Sequence, residues 1–250
     1  MRASVPLGHR VYAIGDIHGR YDLLDELLRA IEVDDASRGG AHTVLVFLGD
    51  YVDRGPRSKQ VIDRLIDGPL PGSEAHFLKG NHEVMLQNFL RDPLEREIWV
   101  RNGGSEALLS YGVEPSLVRL AAKGNAHALL ACAVELAEGM GDKHLSFLAH
   151  LEYWIRIGGY IFVHAGIRPG LPMEKQSPDD LLWIRSEFLT WRGDHEAVIV
   201  HGHTPVKSIE NLENRIDIDT MAWKSGRLTA VGLEGEDRWF LSTGVNGFSG

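Results

Sequence analysis

The sequence predicts an α/β fold, organised as a layered α/β/β/α sandwich of two mixed sheets with a helical insertion. Eight short runs rich in β-branched and aromatic residues end close to Gly or Asp, as strands commonly do. Two amphipathic helix patterns separate the first three runs, which is typical of parallel βαβ units. The last four runs have few helical residues between them, which favours antiparallel additions or a second sheet.

The predicted strands and helices follow one another along the chain. The first helix is predicted at residues 21–31, because Leu23, Leu27 and Ile31 recur on one face. The second is predicted at residues 58–66, where apolar residues have the same spacing. The predicted strands are residues 11–14, 43–48, 75–78, 160–163, 197–200, 215–218, 228–233 and 239–241.

Residues 84–152 differ in composition from the segments on either side. They are rich in Leu, Ala and Glu at helical spacing, most clearly at residues 126–136, with breaks such as Pro93 and Gly112. We interpret them as a helical insertion within a single domain of residues 1–250. The insertion either covers one face of a sheet or forms a wall of a substrate cleft. Both roles stay open, because segments with candidate catalytic residues lie on both sides of it in the sequence.

Composition and charge exclude several classes of protein. The chain has 250 residues, of which 44% are hydrophobic, enough for one sizeable core. A net charge of −9 disfavours binding to nucleic acid or to anionic membranes. Cys132 is the only cysteine, so no intrachain disulfide or Cys-rich zinc site can form. No run approaches the ~18 apolar residues of a membrane span. We therefore expect a cytoplasmic protein with no nucleic-acid or membrane partner; the oligomeric state stays open.

Polar residues cluster where the predicted strands end. Taken singly, each has an ordinary explanation as a turn residue or a helix N-cap. Because the carboxyl ends of strands in an open α/β sheet form one rim, the segments can converge. Oxygen and imidazole donors without thiolate suit Mn²⁺, Fe or Zn²⁺. A bridging carboxylate could hold two ions about 3.5 to 4 Å apart, which activates water for attack at phosphorus.

Five of these segments resemble the motifs of one enzyme family. They match, in order, the signatures of the PPP-type metallophosphatases of the calcineurin-like phosphoesterase superfamily. The similarity extends from about Val11 to about Leu233, and the tract at residues 215–220 is similar to the small bacterial serine/threonine protein phosphatase branch. The five motifs are residues 16–19 (Asp-Ile-His-Gly), 49–55 (Gly-Asp-Tyr-Val-Asp-Arg-Gly), 80–83 (Gly-Asn-His-Glu), 164–166 (His-Ala-Gly) and 202–205 (Gly-His-Thr-Pro).

The resemblance implies a metallophosphoesterase fold and two divalent metal ions, with Mn²⁺ as the first expectation and Fe or Zn²⁺ as alternatives. Asp50 would bridge the two ions. The implied ligands of the first ion are Asp16, His18 and Asp50, and those of the second are Asp50, Asn81, His164 and His203.

The resemblance also implies the residues that act on the substrate. His82 would be the general acid that protonates the leaving oxygen, and Asp53 would orient it. Arg54 would bind the phosphate, and Arg185 stands where the family has a second phosphate-binding arginine. Two planar guanidinium groups suit the phosphoryl oxygens.

Two further positions have more than one interpretation, and a third departs from the pattern of the bacterial branch. His201 lies two residues before His203 and is either a structural residue behind that ligand or a substrate contact. Asn102 either lines the cleft or belongs to a turn in which the following glycines end a helix. Met221 stands where members of the bacterial branch often have glycine.

Three functions are compatible with these residues. The main hypothesis is a dimetal phosphomonoesterase acting on phosphoserine and phosphothreonine in proteins, or on small phosphate esters. The alternative is a hydrolase of phosphoanhydrides such as dinucleoside tetraphosphates, for which the sequence reveals no base-binding cleft. An inactive phosphatase-like scaffold would have lost a ligand or the His82 and Asp53 pair, and none is missing.

Overall fold

The computed structural model describes residues 3–244 and contains two five-stranded mixed sheets. The strands within this range are β1 (His9–Ile14), β2 (His42–Phe47), β3 (Glu74–Phe77), β4 (Trp154–Ile157), β5 (Tyr160–Val163), β6 (Val198–His201), β7 (Glu210–Asn211), β8 (Arg215–Asp217), β9 (Thr229–Glu234) and β10 (Asp237–Ser242). The first sheet has the order β10-β9-β1-β2-β3 and the second has the order β4-β5-β6-β8-β7. In each sheet three consecutive strands are parallel, namely β1, β2 and β3 in the first and β5, β6 and β8 in the second.

Helices connect the strands and cover the outer faces of both sheets. A π-helical turn at Val100–Gly104 precedes α4, and a 3₁₀ turn at Met173–Lys175 precedes α7. The α-helices of the described range are α1 (Tyr21–Ser37), α2 (Ser58–Ile66), α3 (Asn81–Arg91), α4 (Ser105–Ser110), α5 (Pro115–Ala121), α6 (Ala126–Ala149), α7 (Pro178–Trp183), α8 (Ser186–Leu189) and α9 (Ala222–Ser225).

The core is divided by the alternation of side chains along each strand. In β1, Tyr12 packs in an apolar cluster with residues of several helices, among them α1 and α6. Val11, the residue before it, packs between the two sheets. In β5, Phe162 lies between the sheets, and Ile161 packs against α7 and α8. The layers are therefore helix, sheet, sheet and helix, which confirms the predicted α/β/β/α sandwich.

The predicted elements differ from the observed ones mainly at their ends. All eight predicted strands are present, and their ends differ from the predicted ones by at most two residues. β4 and β7 were not predicted, because one is a four-residue strand at the sheet edge and the other has two residues. Helix α1 continues beyond Ile31 through a largely exposed acidic segment, which carries no apolar periodicity to mark it.

The segment predicted as an insertion contains most of α3 and all of α4 to α6. These helices pack with α1 and α2 in one apolar cluster against the first sheet, as the covering interpretation requires. Their connection at Trp99 and Gly103 also contacts the loop after β2, described below. The single-domain organisation stays a prediction. Within residues 3–244, no helix combines the length and the apolar character needed to cross a membrane.

Candidate active site

The five motifs lie at the carboxyl ends of β1, β2, β3, β5 and β6 and converge on Asp50. Oδ2 of Asp50 is 3.4 Å from Nε2 of His18 and 3.9 Å from Nε2 of His82. Oδ1 of the same carboxylate is 3.4 Å from Nε2 of His164. His203 completes a second group with His164 and Asp50. In each group the possible ligand atoms lie within 4.8 Å of one another, and all of these residues are buried.

The backbone that presents these side chains is locally strained. Of the described residues, six that are not glycine have positive φ. Left-handed backbone is unfavourable for residues with a Cβ atom and is concentrated at functional sites. Five of the six lie in the predicted motifs, at His18, Asp50, Asp53, Arg54 and His203.

Two glycines allow the motif loops to approach closely. A Cβ atom on Gly80 would overlap Oδ1 of Asp50, and one on Gly202 would overlap Oδ1 of Asp16. A side chain at either position would therefore displace a predicted ligand.

The first group consists of His18, Asp50 and His82. Its His18 ring is held in the neutral form. Nδ1 of His18 lies 2.9 Å from the carbonyl oxygen of Val52, and since a carbonyl only accepts, Nδ1 is the protonated nitrogen. Nε2 then carries the lone pair that faces Asp50. Burial lowers the pKa of His18 to about 3, so the neutral ring is the stable form.

The second group, His164 and His203 with Asp50, is built in the same way and adds an amide. Nδ1 of His164 donates to the carbonyl of Leu48 at 2.8 Å, which leaves Nε2 free toward Asp50. Oδ1 of Asn81 is 2.9 Å from Nε2 of His164 and 2.9 Å from Nδ1 of His203. Burial lowers the pKa of both histidines. The Asn81 side chain therefore lies with the second group, and its role as a metal ligand stays a prediction.

The electrostatics of Asp50 suit a residue shared by two cations. Burial alone would raise its pKa, but the surrounding histidines, His164 first, outweigh that effect and hold the pKa below its usual value. Asp16 lies nearby, and burial followed by the charges of Asp219 and Asp50 raises its pKa. Neutral imidazoles and closely spaced buried carboxylates are a donor set that bound divalent ions would stabilise. The residues present therefore fit a dimetal centre.

Asp16 is oriented differently from the other predicted ligands. Its two carboxylate oxygens accept the backbone N–H of His203, at 3.3 and 3.2 Å. It borders the two groups and holds the loop that carries His203, and its role as a ligand stays a prediction.

His82 is supported from behind by a carboxylate. Nδ1 of His82 lies 2.7 Å from Oδ2 of Asp53, and the indole Nε1 of Trp99 donates to the same oxygen at 2.8 Å. Burial lowers the pKa of His82, but the charge of Asp50 and the hydrogen bond to Asp53 outweigh it, so the pKa lies above its usual value. The environment therefore favours a protonated ring, which a proton donor requires.

Arg54 and Arg185 each reach a histidine of a different group. Nη1 of Arg54 donates to Nε2 of His18 at 2.9 Å, and Nη2 lies 3.0 Å from Nε2 of His82. Nε of Arg185 donates to Nε2 of His203 at 3.2 Å. The two guanidinium groups thus lie beside the shared Asp50 cluster, where an anionic substrate would meet them.

Glu83 is a site residue to which the sequence analysis assigned no role, although it belongs to the motif at residues 80–83. Its buried carboxylate accepts the backbone N–H groups of Asp50, Tyr51 and Gly80 at 2.8 to 3.0 Å, and that of Val52 at 3.3 Å. It ties the loop after β2 to the start of α3, which carries the next motif. The available signal was its place as the third residue of α3, where Glu reaches back to the N-cap.

His201 and Asn102 lie outside the two histidine groups. His201 is fully buried, its ring 4.9 Å from that of Phe188, as expected of a structural residue. Asn102 is exposed. The neighbouring Gly103 has φ of 107°, and its carbonyl accepts the backbone N–H of Arg54 at 3.0 Å. This segment therefore supports the Arg54 loop.

The fold and the site define the class of protein. The calcineurin-like phosphoesterase model matches residues 9–231, and the chain belongs to this family. The resemblance to the PPP-type metallophosphatases is thereby confirmed, and the chain is a hydrolase of the metallophosphoesterase class.

Similar proteins differ in the substrates that their names specify. The asymmetrical bis(5′-nucleosyl)-tetraphosphatase PrpE of Anoxybacillus flavithermus is 30% identical over 239 residues, covering 87% of this chain and 88% of that protein. Serine/threonine-protein phosphatase 1 of Salmonella typhimurium is 28% identical over 232 residues, covering 90% and 92%. A solved structure provisionally assigned as a diadenosine tetraphosphatase has a TM-score of 0.64 at 23% identity, covers 99% of this chain and 100% of its own, and shows the shared fold.

Proposed function

We propose that this chain hydrolyses dinucleoside tetraphosphates asymmetrically, releasing a nucleoside triphosphate and a nucleoside monophosphate. The observation that carries the chemistry is the pair of histidine groups sharing Asp50, each with its own arginine. The choice of a nucleotide is supported by the likeness to PrpE over 87% of the chain. The alternative of the sequence analysis is thus better supported than its main hypothesis.

Two divalent ions, Mn²⁺ first among the candidates, would be held by the residues around Asp50. When bound, they neutralise phosphate charge and activate water for attack at phosphorus. The proposed ligands are Asp16, His18, Asp50, Asn81, His164 and His203. The chain keeps the imidazoles neutral by burial, and carbonyl oxygens fix the orientation of His18 and His164.

Once Arg54 has left Nε2 of His82 for the phosphate, His82 would hold a proton at Nε2, the ring nitrogen turned away from Asp53, and donate it to the leaving oxygen. Asp53 and Trp99 fix the ring in place. Arg54 and Arg185 would exchange their contacts with ring nitrogens for phosphoryl oxygens. Each guanidinium then stabilises charge that increases at the phosphoryl group in the transition state.

The test is a comparison of kcat/KM for diadenosine tetraphosphate, a phosphoserine peptide and nitrophenyl phosphate under identical metal conditions. We expect the dinucleotide to be preferred by more than about a hundredfold, equivalent to ~2.7 kcal/mol in transition-state binding. Product analysis should show ATP and AMP in equal amounts. A preference for the peptide, or symmetrical cleavage to two ADP, would contradict the proposal.

A second candidate, hydrolysis of phosphoserine and phosphothreonine in proteins, is favoured by the likeness to the Salmonella phosphatase over 90% of the chain. It uses the same metal centre and the same acid. It predicts the reverse order of kcat/KM in the comparison above. The inactive scaffold is disfavoured because the His82–Asp53 hydrogen bond and both histidine groups are intact.

A further inference from the structure

Two exposed tryptophans stand beside the histidine groups, one at each. Trp183 is 43% exposed, and its ring centroid lies 6.1 Å from that of His203, with the ring planes nearly perpendicular at 86°. Trp223 is 39% exposed, and the guanidinium carbon of Arg54 lies 5.4 Å from the centroid of its ring. An indole ring thus borders the polar cluster on the Arg185 side and on the Arg54 side.

Local structure fixes where both rings lie. Trp183 is the last residue of α7, and the two preceding leucines are buried, so the helix end is anchored. Trp223 follows Ala222, which is buried and whose carbonyl accepts Nη1 of Arg20 at 3.0 Å. The loop before it turns at Met221, where φ is 57°. Both rings are therefore presented to solvent from restrained backbone.

Exposure of large aromatic rings beside charged groups points to a ligand with both apolar and anionic parts. Tryptophan loses favourable apolar burial when it is exposed. A nucleobase offers a flat π surface to such a ring, and stacking of this kind tolerates any base. The phosphates of the same molecule would lie on the arginines.

We infer that Trp183 and Trp223 stack on the two nucleobases of a dinucleoside polyphosphate whose phosphate chain lies across the Asp50 cluster. This inference rests on the proposed function and specifies how its substrate is recognised. It supplies the base-binding surfaces that the sequence analysis did not locate. Since stacking does not read base edges, discrimination between adenine and guanine should be weak.

The test uses Trp183→Leu and Trp223→Leu, each paired with a Phe variant that keeps an aromatic ring. Trp191→Leu is the matched control: Trp191 is 41% exposed and contacts Gly193 and Asn214. We expect each Leu variant to lower kcat/KM for diadenosine tetraphosphate by about tenfold, mainly through KM. The Phe variants should retain most activity, and Trp191→Leu should match wild type.

Hydrolysis of inorganic tripolyphosphate, which has phosphoanhydrides and no base, should be the same in all variants. A Leu variant that loses both activities equally would show that the tryptophan supports the metal centre, which overturns the inference. Unchanged kcat/KM for the dinucleotide would overturn it as well.

A binding measurement separates this inference from the proposed function. ATP should quench the tryptophan fluorescence of wild type, and the quenching should be lost in the double Leu variant. If wild type hydrolyses only the phosphopeptide and ATP does not quench, both fail. If ATP quenches and the dinucleotide is not cleaved, the proposed function fails and the stacking surfaces stand.

Discussion

The two histidine groups around Asp50 share one carboxylate but differ in what lies behind each ring. In the second group, burial lowers the pKa of His164 and His203, and Nδ1 of His164 donates to a backbone carbonyl. In the first group, His18 also donates to a carbonyl, but His82 is held by the buried carboxylate of Asp53. A carboxylate stabilises the charged imidazole and a carbonyl does so far less.

This difference assigns separate roles to adjacent residues. Asn81 and His82 are the first two residues of α3, yet the Asn81 oxygen reaches the second group and the His82 ring turns to Asp53. The first group is therefore the one that we expect to hold both a metal ligand and a proton donor. The predictions that follow test this division.

The largest effect is expected from Asp50→Asn, because it removes the carboxylate that both groups share. We expect loss of metal from both positions and a fall in kcat/KM of about 10³-fold or more, since metal ions contribute several kcal/mol at the transition state. Metal content is measured by mass spectrometry after dialysis. Asp67→Asn, at an exposed ion pair with Lys143, is the control and should keep both ions. Retention of full metal content in Asp50→Asn would show that the residue is not shared.

The next effect is confined to the first group. His82→Asn should keep both ions and lower kcat on an alkyl phosphate by about 10² to 10⁴-fold, the range for general acid catalysis. The loss should be smaller on nitrophenyl phosphate, whose leaving group needs less protonation. Asp53→Asn should show the same pattern to a lesser degree, because the ring keeps its place while the charge is removed. Equal losses on both substrates would contradict the role of His82 as an acid.

Arg54 and Arg185 allow the two histidine groups to be compared in how each binds the phosphate of the substrate. Arg54→Lys should lower kcat/KM by about 10- to 100-fold, since a charge-assisted hydrogen bond contributes roughly 1.5 to 3 kcal/mol. Arg185→Lys should have the smaller effect, because Arg185 contacts one histidine where Arg54 contacts two. Unfolding in urea should be unchanged in both. If Arg185→Lys has wild-type kinetics, its guanidinium does not bind phosphate.

Local motifs predicted that the five segments converge, because every strand end that carries chemistry is marked by a short polar sequence after an apolar run, and the family resemblance implied Asp50 as the shared residue. The hydrogen bonds and packing that position these residues were not predictable from local motifs. Trp99 donates to Asp53 across 46 positions of the chain, and no local pattern marks that pair. Trp183 and Trp223 reach the site only through the packing of α7 and α9. The orientation of Asp16 toward the His203 backbone likewise depends on how two loops meet.

The smallest effect concerns the loop that presents Trp223 on the Arg54 side. Met221 has φ of 57°, a left-handed conformation that glycine adopts readily and a residue with a Cβ atom does not. Relief of left-handed strain contributes about 1 to 2 kcal/mol, and the greater freedom of glycine in the unfolded chain costs about 0.5 to 1 kcal/mol. We therefore expect Met221→Gly to raise the free energy of unfolding by up to about 1.5 kcal/mol, measured by urea denaturation with an unchanged slope. Lys224→Gly, within α9, should lower it by a similar amount. A clear loss of stability in Met221→Gly would mean that contacts of the methionine side chain outweigh the strain of its backbone.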